Sequence, residues 1–127
     1  MRKKRILFCG EATYLNTGYA TYLREVMKVL YATQKYEIAE FASYGKDGDP
    51  RGVDIPWKFY GNLPTKDSQQ QQYDEIPTNQ FGEWKFESVL LDFLPDIVCD
   101  IRDFWMFEYQ ERSAFRPYFN WVIMPTV

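Results

Sequence analysis

The stretch Arg5–Thr33, RILFCGEATYLNTGYATYLREVMKVLYAT, decides the fold. Ile6, Leu7, Phe8 and Cys9 form a short apolar run without alternation, ended by Gly10. A run of this kind suits a strand covered on both faces, as in a parallel sheet. Further on the period changes. Leu23, Val26, Met27 and Leu30 fall at i, i+3, i+4 and i+7 and share one face of a helix, with Arg24, Glu25 and Lys28 on the other side. Asn16 or Thr17 can cap the start of that helix, a side-chain oxygen taking one of its unpaired amide protons. A strand feeding a helix through a loop is the first half of a βαβ unit. Its loop lies at the carboxyl end of the strand, where open α/β sheets bind ligands.

Downstream, Tyr36–Tyr44 alternates Ile38 with Ala39 and Phe41 with Ala42, and reads as a second strand. Gly45–Pro56 is rich in turn residues and reads as loop. Its Gly45-Lys46 pair lacks both the upstream glycine and the following Ser or Thr of a Walker loop. Trp57–Tyr60 is a short edge strand, and Gly61–Gly82, with the Gln69–Gln72 run, is polar and without periodicity. Glu83–Phe93 is helical through Phe86, Val89, Leu90 and Phe93, and Pro95 stops it. Asp96–Ile101 is a second buried strand, Trp105–Arg112 a short helix, and Asn120–Val127 a fifth strand interrupted at Pro125. The order strand, helix, strand, strand, helix, strand, helix, strand predicts an α/β fold: a mainly parallel sheet of about five strands with helices on both faces. Right-handed crossovers give the order 3-2-1-4-5. The winding then reverses between the first and fourth strands, which places a crevice there. Gly10, Glu11 and the loop to Gly18 and Tyr19 line it on one side, Arg102, Asp103 and Trp105 on the other.

At 127 residues the chain forms one domain with a real core, and 46% hydrophobic and 19% aromatic residues exclude disorder. A net charge of -3 gives no reason to expect nucleic acid, and the basic MRKKR start reads as a solvated lead-in to the first strand. No apolar run approaches the roughly 20 residues that span a membrane. Cys9 and Cys99 both fall in predicted strands and read as buried thiols, which together with the absence of a secretion signal suggests a reducing, cytoplasmic setting. The chain contains no histidine, which removes the Ser-His-Asp triad and most zinc sites, and no metal site is expected.

The chemistry open to the crevice narrows further. Gly10 and Gly18 are separated by a loop without another glycine, so the dinucleotide fingerprint is absent, and no acid ends the second strand to hold a ribose. Glu11 alone does not make the acidic pair of a phosphorelay receiver. Asn16-Thr17-Gly18-Tyr19 at a helix start can favour an anion such as a phosphate through free amides and the helix dipole, or can be an ordinary cap. Asp103 can accept hydrogen bonds from substrate hydroxyls or act as a base; equally, it can pair with Arg102 or Arg112 or cap the short helix. Trp105, Phe107 and Tyr109 can stack on a sugar or base, or pack in the core.

The order of these motifs resembles a known family. Gly10 and the loop into Asn16-Thr17-Gly18-Tyr19-Ala20-Thr21-Tyr22-Leu23-Arg24-Glu25-Val26 is similar to the opening of the amino-terminal domain of GT-B glycosyltransferases, the retaining group 1 or family 4-like enzymes that include glycogen and sucrose-phosphate synthases. Thr17-Gly18 stands where that family has a glycine pair. Pro95-Asp96-Ile97-Val98 with Asp103-Phe104-Trp105-Met106 looks like the family's next strand and its D-x-W segment. Phe115–Phe119 leading into Trp121–Pro125 is similar to the strand after that. The likeness runs in order from Arg5 to Val127, with Gly45–Gly82 unmatched.

The resemblance implies a Rossmann-like three-layer domain on the acceptor side of a two-domain enzyme. Asn16, Thr17 and Gly18 then belong to a loop facing the diphosphate of a nucleotide-sugar donor, and Asp103 lies near the reacting sugar, positioning the acceptor or serving as base. It implies no cofactor and no metal, and a carboxy-terminal domain that holds most of the donor. That domain has no counterpart in these 127 residues, so the expectation is an amino-terminal fragment that does not transfer sugar by itself. Two other functions fit the same residues: a stand-alone nucleotide- or phosphate-binding module, and a non-catalytic assembly domain.

Overall fold

The apolar run at the start of the chain becomes β1 (Lys4–Glu11), buried from Ile6 to Gly10 in the computed structural model, which describes residues 2–124. The helix that follows, α1 (Gly18–Thr33), starts at Thr17, whose Oγ1 accepts the Ala20 amide at 3.1 Å. It ends at Gln34, whose left-handed backbone (φ 57°) lets its amide reach the Tyr31 carbonyl. The chain returns as β2 (Tyr36–Ser43) and continues through β3 (Lys58–Gly61), α2 (Asp67–Tyr73), α3 (Phe86–Phe93), β4 (Ile97–Asp100), α4 (Phe104–Phe107) and β5 (Asn120–Ile123). The five strands form one sheet in the order β3-β2-β1-β4-β5, with every neighbouring pair parallel. This is the predicted α/β topology, with the winding reversed between β1 and β4.

Strand alternation divides the core into two layers. Ile6 and Phe8 of β1, Ile38 of β2 and Cys99 of β4 point to the face covered by Leu23 and Met27 of α1, with Trp57 and Ile101. Leu7, Cys9, Ala39, Phe41 and Val98 point to the opposite face, where Phe86, Val89, Leu90 and Phe93 of α3 cover them. Burying each large side chain contributes about 1.5–3 kcal/mol. Cys9 and Cys99 are free thiols inside these layers, and burial pushes both thiols up, Cys99 to about 12.

The element boundaries differ from the sequence reading in ways that have local causes. β2 has no solvent face: Ile38 to Ser43 are all buried, because both sides of the strand are covered. It ends one residue early, at Tyr44, which turns with φ 63°. Trp57 stands outside β3, and its ring enters the α1-side core. β4 lacks Asp96 and Ile101; the Asp96 carboxylate instead accepts the Arg5 amide at 2.8 Å. The helix expected from Glu83 begins at Phe86, since the amides of Lys85 and Phe86 both turn back to the Gly82 carbonyl.

The helix expected over 105–112 is the single turn of α4 followed by a 3₁₀ turn at Glu108–Arg112. The segment 61–82 is ordered: α2 carries the glutamines, and a 3₁₀ turn at Pro77–Phe81 follows. Because α2 buries none of its residues, it shows no apolar period. Residues 125–127 of the expected fifth strand, and Met1 of the basic start, lie outside the described residues. Among the described residues no helix is long and apolar enough to cross a membrane.

Candidate functional site at the carboxyl ends of β1 and β4

Where the winding reverses, the crossovers leave in opposite directions and a cavity of about 220 Å³ opens above the sheet. Gly10, Glu11, Tyr19, Arg102 and Trp105 line it, together with Ser43, Tyr44, Gln80, Phe81 and Met106. Gly10 lets α1 lie close to the strand, since a Cβ there would come within 2.9 Å of Leu23 Cδ2 and 3.4 Å of the Ile101 carbonyl oxygen.

The floor is a buried polar network. Arg102 is 3% exposed, and its Nε donates to Asp100 Oδ1 at 3.0 Å. Its Nη1 donates to the Phe81 carbonyl at 2.7 Å and its Nη2 to the Tyr109 hydroxyl at 3.2 Å. Asp100 also accepts from Gln110 Nε2 (3.0 Å) and Trp121 Nε1 (2.6 Å). Burial raises the Asp100 carboxyl, against the lowering pull of Arg102, Trp121 and Gln110. The guanidinium is thus committed to structural partners and faces the cavity as part of its floor.

The walls are aromatic. Trp105 is 58% exposed and stands edge-to-face on Phe81, with ring centroids 5.1 Å apart, which leaves indole surface open above the cavity. Tyr44 also packs edge-to-face with Phe81, and its hydroxyl donates to Gln80 Oε1 at 3.0 Å. Burial first and the Glu11 carboxylate second hold the Tyr44 phenol above its usual range. Of the other aromatic candidates, Phe107 and Tyr109 are buried in the core.

Asn16, Thr17 and Gly18 do not line the cavity, although Thr17 bonds Glu11, which does. The Thr17 hydroxyl accepts the Ala20 amide and donates to the Glu11 carboxylate, so an acid sits beside the start of α1. Asp103 does not line the cavity either; its Oδ1 accepts the hydroxyl of Tyr19, which does, at 3.2 Å. Neither pairing suggested for it forms with arginine: Arg102 is bonded to Asp100, and Arg112 lies near Glu83 and Glu108. Asp103 occupies the cap position of α4 without a side-chain cap bond.

Three features were not anticipated. Gln80, Phe81 and Met106 reach the cavity, the first two from the segment that showed no periodicity. Asp100 is the acid that meets Arg102; their i, i+2 spacing beside a buried strand is the signal that could have paired them. Glu40 in β2 is fully buried, and its carboxylate accepts from Thr13 N (3.1 Å), Thr13 Oγ1 (2.5 Å) and Trp57 Nε1 (2.9 Å). It ties the loop between β1 and α1 to the sheet, and Arg24 adds a bond to the Thr13 carbonyl at 2.8 Å.

Comparison of the chain with protein-family models, with curated proteins and with solved structures gave no match. What the fold itself defines is a small α/β domain with a five-strand parallel sheet.

Proposed function

We propose that this chain is the acceptor-side, amino-terminal domain of a retaining GT-B glycosyltransferase that uses a nucleotide-sugar donor. One observation carries the reading beyond the order of sequence motifs. Two of the three segments on which the resemblance rests, at Tyr19 and at Asp103–Trp105, meet at the switch-point cavity, where Tyr19 bonds Asp103. A cavity with an exposed indole, a carboxylate and an amide suits a sugar, whose ring faces stack on aromatics and whose hydroxyls need acceptors and donors.

In this reading the loop Asn16–Gly18 faces the donor diphosphate, held chiefly by a second domain, and Asp103 positions an acceptor hydroxyl or takes its proton. Amides and basic groups stabilise charge on the leaving diphosphate. The buried, unpaired thiols fit a cytoplasmic protein. Incubation of the 127-residue chain with nucleotide sugars and acceptor is expected to give binding without transfer; transfer by this chain alone would show that no second domain is needed. Reading the gene past codon 127 tests the family: a second α/β half with a glutamate pair supports it, and a stop codon counts against it.

One observation favours an assembly role as a second reading. Val122 and Ile123 of β5 are 44% and 41% exposed on the last strand of the sheet. A sedimentation profile that stays monomeric with rising concentration counts against that role.

A further inference from the structure

We infer that the cavity between β1 and β4 takes one neutral sugar ring and refuses phosphorylated sugars and nucleotide diphosphates. The inference deepens the glycosyltransferase reading and rests on it, by naming the charge class of the acceptor. Size is the first argument. About 220 Å³ is below the roughly 300 Å³ at which sites for drug-sized ligands begin, so the space suits a single ring and not a nucleotide with its sugar.

Charge is the second argument. Among the described residues that line the cavity, Arg102 carries the only positive charge, and it is spent on Asp100, the Phe81 carbonyl and Tyr109. The acids are placed differently. Glu11 lines the cavity and bonds Thr17, and Asp103, which does not line it, accepts the Tyr19 hydroxyl. An entering phosphate therefore meets the Glu11 carboxylate, while the cation beneath it is already neutralised. Phosphate recognition ordinarily relies on arginine or lysine forks or on unobstructed amides, and the cavity offers neither.

The rest of the lining is neutral, much of it aromatic. Trp105 offers an exposed indole face braced by Phe81. Tyr44 and Gln80, bonded to each other, present polar groups beside it. Neutral sugars bind to such combinations through stacking and hydroxyl bonds, without a net charge to compensate. The donor diphosphate then stays outside the cavity, held chiefly by the second domain.

The test is an NMR titration of the 127-residue chain with a matched pair, methyl glucoside and glucose 6-phosphate, followed through the Trp105 indole signal. UDP-glucose serves as a third probe. The expected result is saturable shifts with methyl glucoside and binding of glucose 6-phosphate weaker by about fivefold or more, the size of one unfavourable charge at a partly solvated distance. Glu11→Gln keeps a group able to accept from Thr17 and should bring the two sugars to within about twofold of each other. In Trp105→Ala, followed through the amide signals of Tyr44, Gln80 and Phe81 that line the same cavity, the shifts caused by both sugars should be abolished.

Glucose 6-phosphate or UDP-glucose binding in the cavity as tightly as methyl glucoside overturns the inference and leaves the transferase reading standing with a charged acceptor. A sugar preference unchanged in Glu11→Gln also overturns it, provided that the variant unfolds at the same denaturant concentration as the parent. Absence of binding by every probe overturns both the inference and the reading on which it rests.

Discussion

The Tyr19 hydroxyl donates to the Asp103 carboxylate over 3.2 Å, joining residues 84 positions apart across the reversal of the sheet. Tyr19 belongs to the first turn of α1, and Asp103 precedes α4, so the bond fixes the width of the crevice from both sides. Replacing Tyr19 by Phe removes the hydroxyl and little else. The expected cost in urea unfolding is at least about 1.5 kcal/mol, the lower end for a hydrogen bond to a charged group. In a cycle with Asp103→Asn the two changes should be less than additive, since both act on one contact. Full additivity would mean that the pair does not act as a unit.

The Asp100–Arg102 pair beneath the crevice is almost wholly buried, with side chains 0% and 4% exposed. Such a pair is costly to break from one side, because the remaining charge has no water to return to. Arg102→Met should therefore destabilise the domain by about 3–5 kcal/mol in denaturant unfolding. Asp100→Asn combined with Arg102→Met should recover part of that loss, since no bare carboxylate is left. A loss below about 1 kcal/mol in the single variant would be that of a solvated pair and would contradict the burial.

How far the sequence reached depended on how local each signal was. The strand order followed from the unalternating runs at Ile6–Cys9 and Asp96–Ile101 and from the face made by Leu23, Val26, Met27 and Leu30. From that order came a crevice walled by Gly10, Glu11, the loop to Gly18 and Tyr19, Arg102, Asp103 and Trp105; Gly10, Glu11, Tyr19, Arg102 and Trp105 line one cavity, whereas Asn16–Gly18 and Asp103 do not. What escaped was set by tertiary contacts. Gln80 and Phe81 lie in a segment whose helix buries nothing, so no periodicity marked it. Arg102 was placed at the cavity, but its burial depends on Tyr109, Gln110 and the Phe81 carbonyl, which the chain folds back to supply. Glu40, between Ala39 and Phe41, offers only the oddity of an acid inside an apolar strand.

Glu40 gives a pH dependence with a defined sign. Burial raises its carboxyl above the ordinary value, against the lowering by its bonds from Thr13 and Trp57. Between the ordinary pKa and the raised one, the unfolded chain has released this proton and the folded chain still holds it. Stability then falls as pH rises through that window, and the deficit is constant above it. Comparison with Glu40→Gln isolates the effect, because Asp96, held at about 2 chiefly by Arg2, titrates alike in both proteins. Measured from roughly pH 4 to 8, the parent should lose stability relative to the variant as pH rises. A relative gain would mean that the three hydrogen bonds outweigh burial.

Gly82 should tolerate no side chain. Its φ of 108° lies in the left-handed region, and a Cβ would come within 2.6 Å of Phe41 and 2.8 Å of the Tyr109 hydroxyl. The neighbouring Phe81 carbonyl holds both Arg102 and Tyr109, so displacement there reaches the floor of the cavity. Gly82→Ala should cost about 2–3 kcal/mol from strain and overpacking together. Thermal unfolding would register this as a clear drop in Tm, and an unchanged Tm would rule out the contact.

Gly18 is the opposite case, and it separates a structural glycine from a functional one. Its backbone is not left-handed, and a Cβ there would meet nothing within 4 Å. It opens α1 directly after the Thr17 cap. An alanine at this position loses less backbone freedom on folding, so Gly18→Ala should raise stability by up to about 1 kcal/mol. Because Gly18 does not line the cavity, methyl glucoside binding should be unchanged. If the loop Asn16–Gly18 meets a donor diphosphate through its backbone, the added methyl group holds the phosphates away, and the donor KM of the two-domain enzyme should rise while acceptor binding stays constant. A stabilised variant with an unaltered donor KM would assign Gly18 to the start of the helix alone.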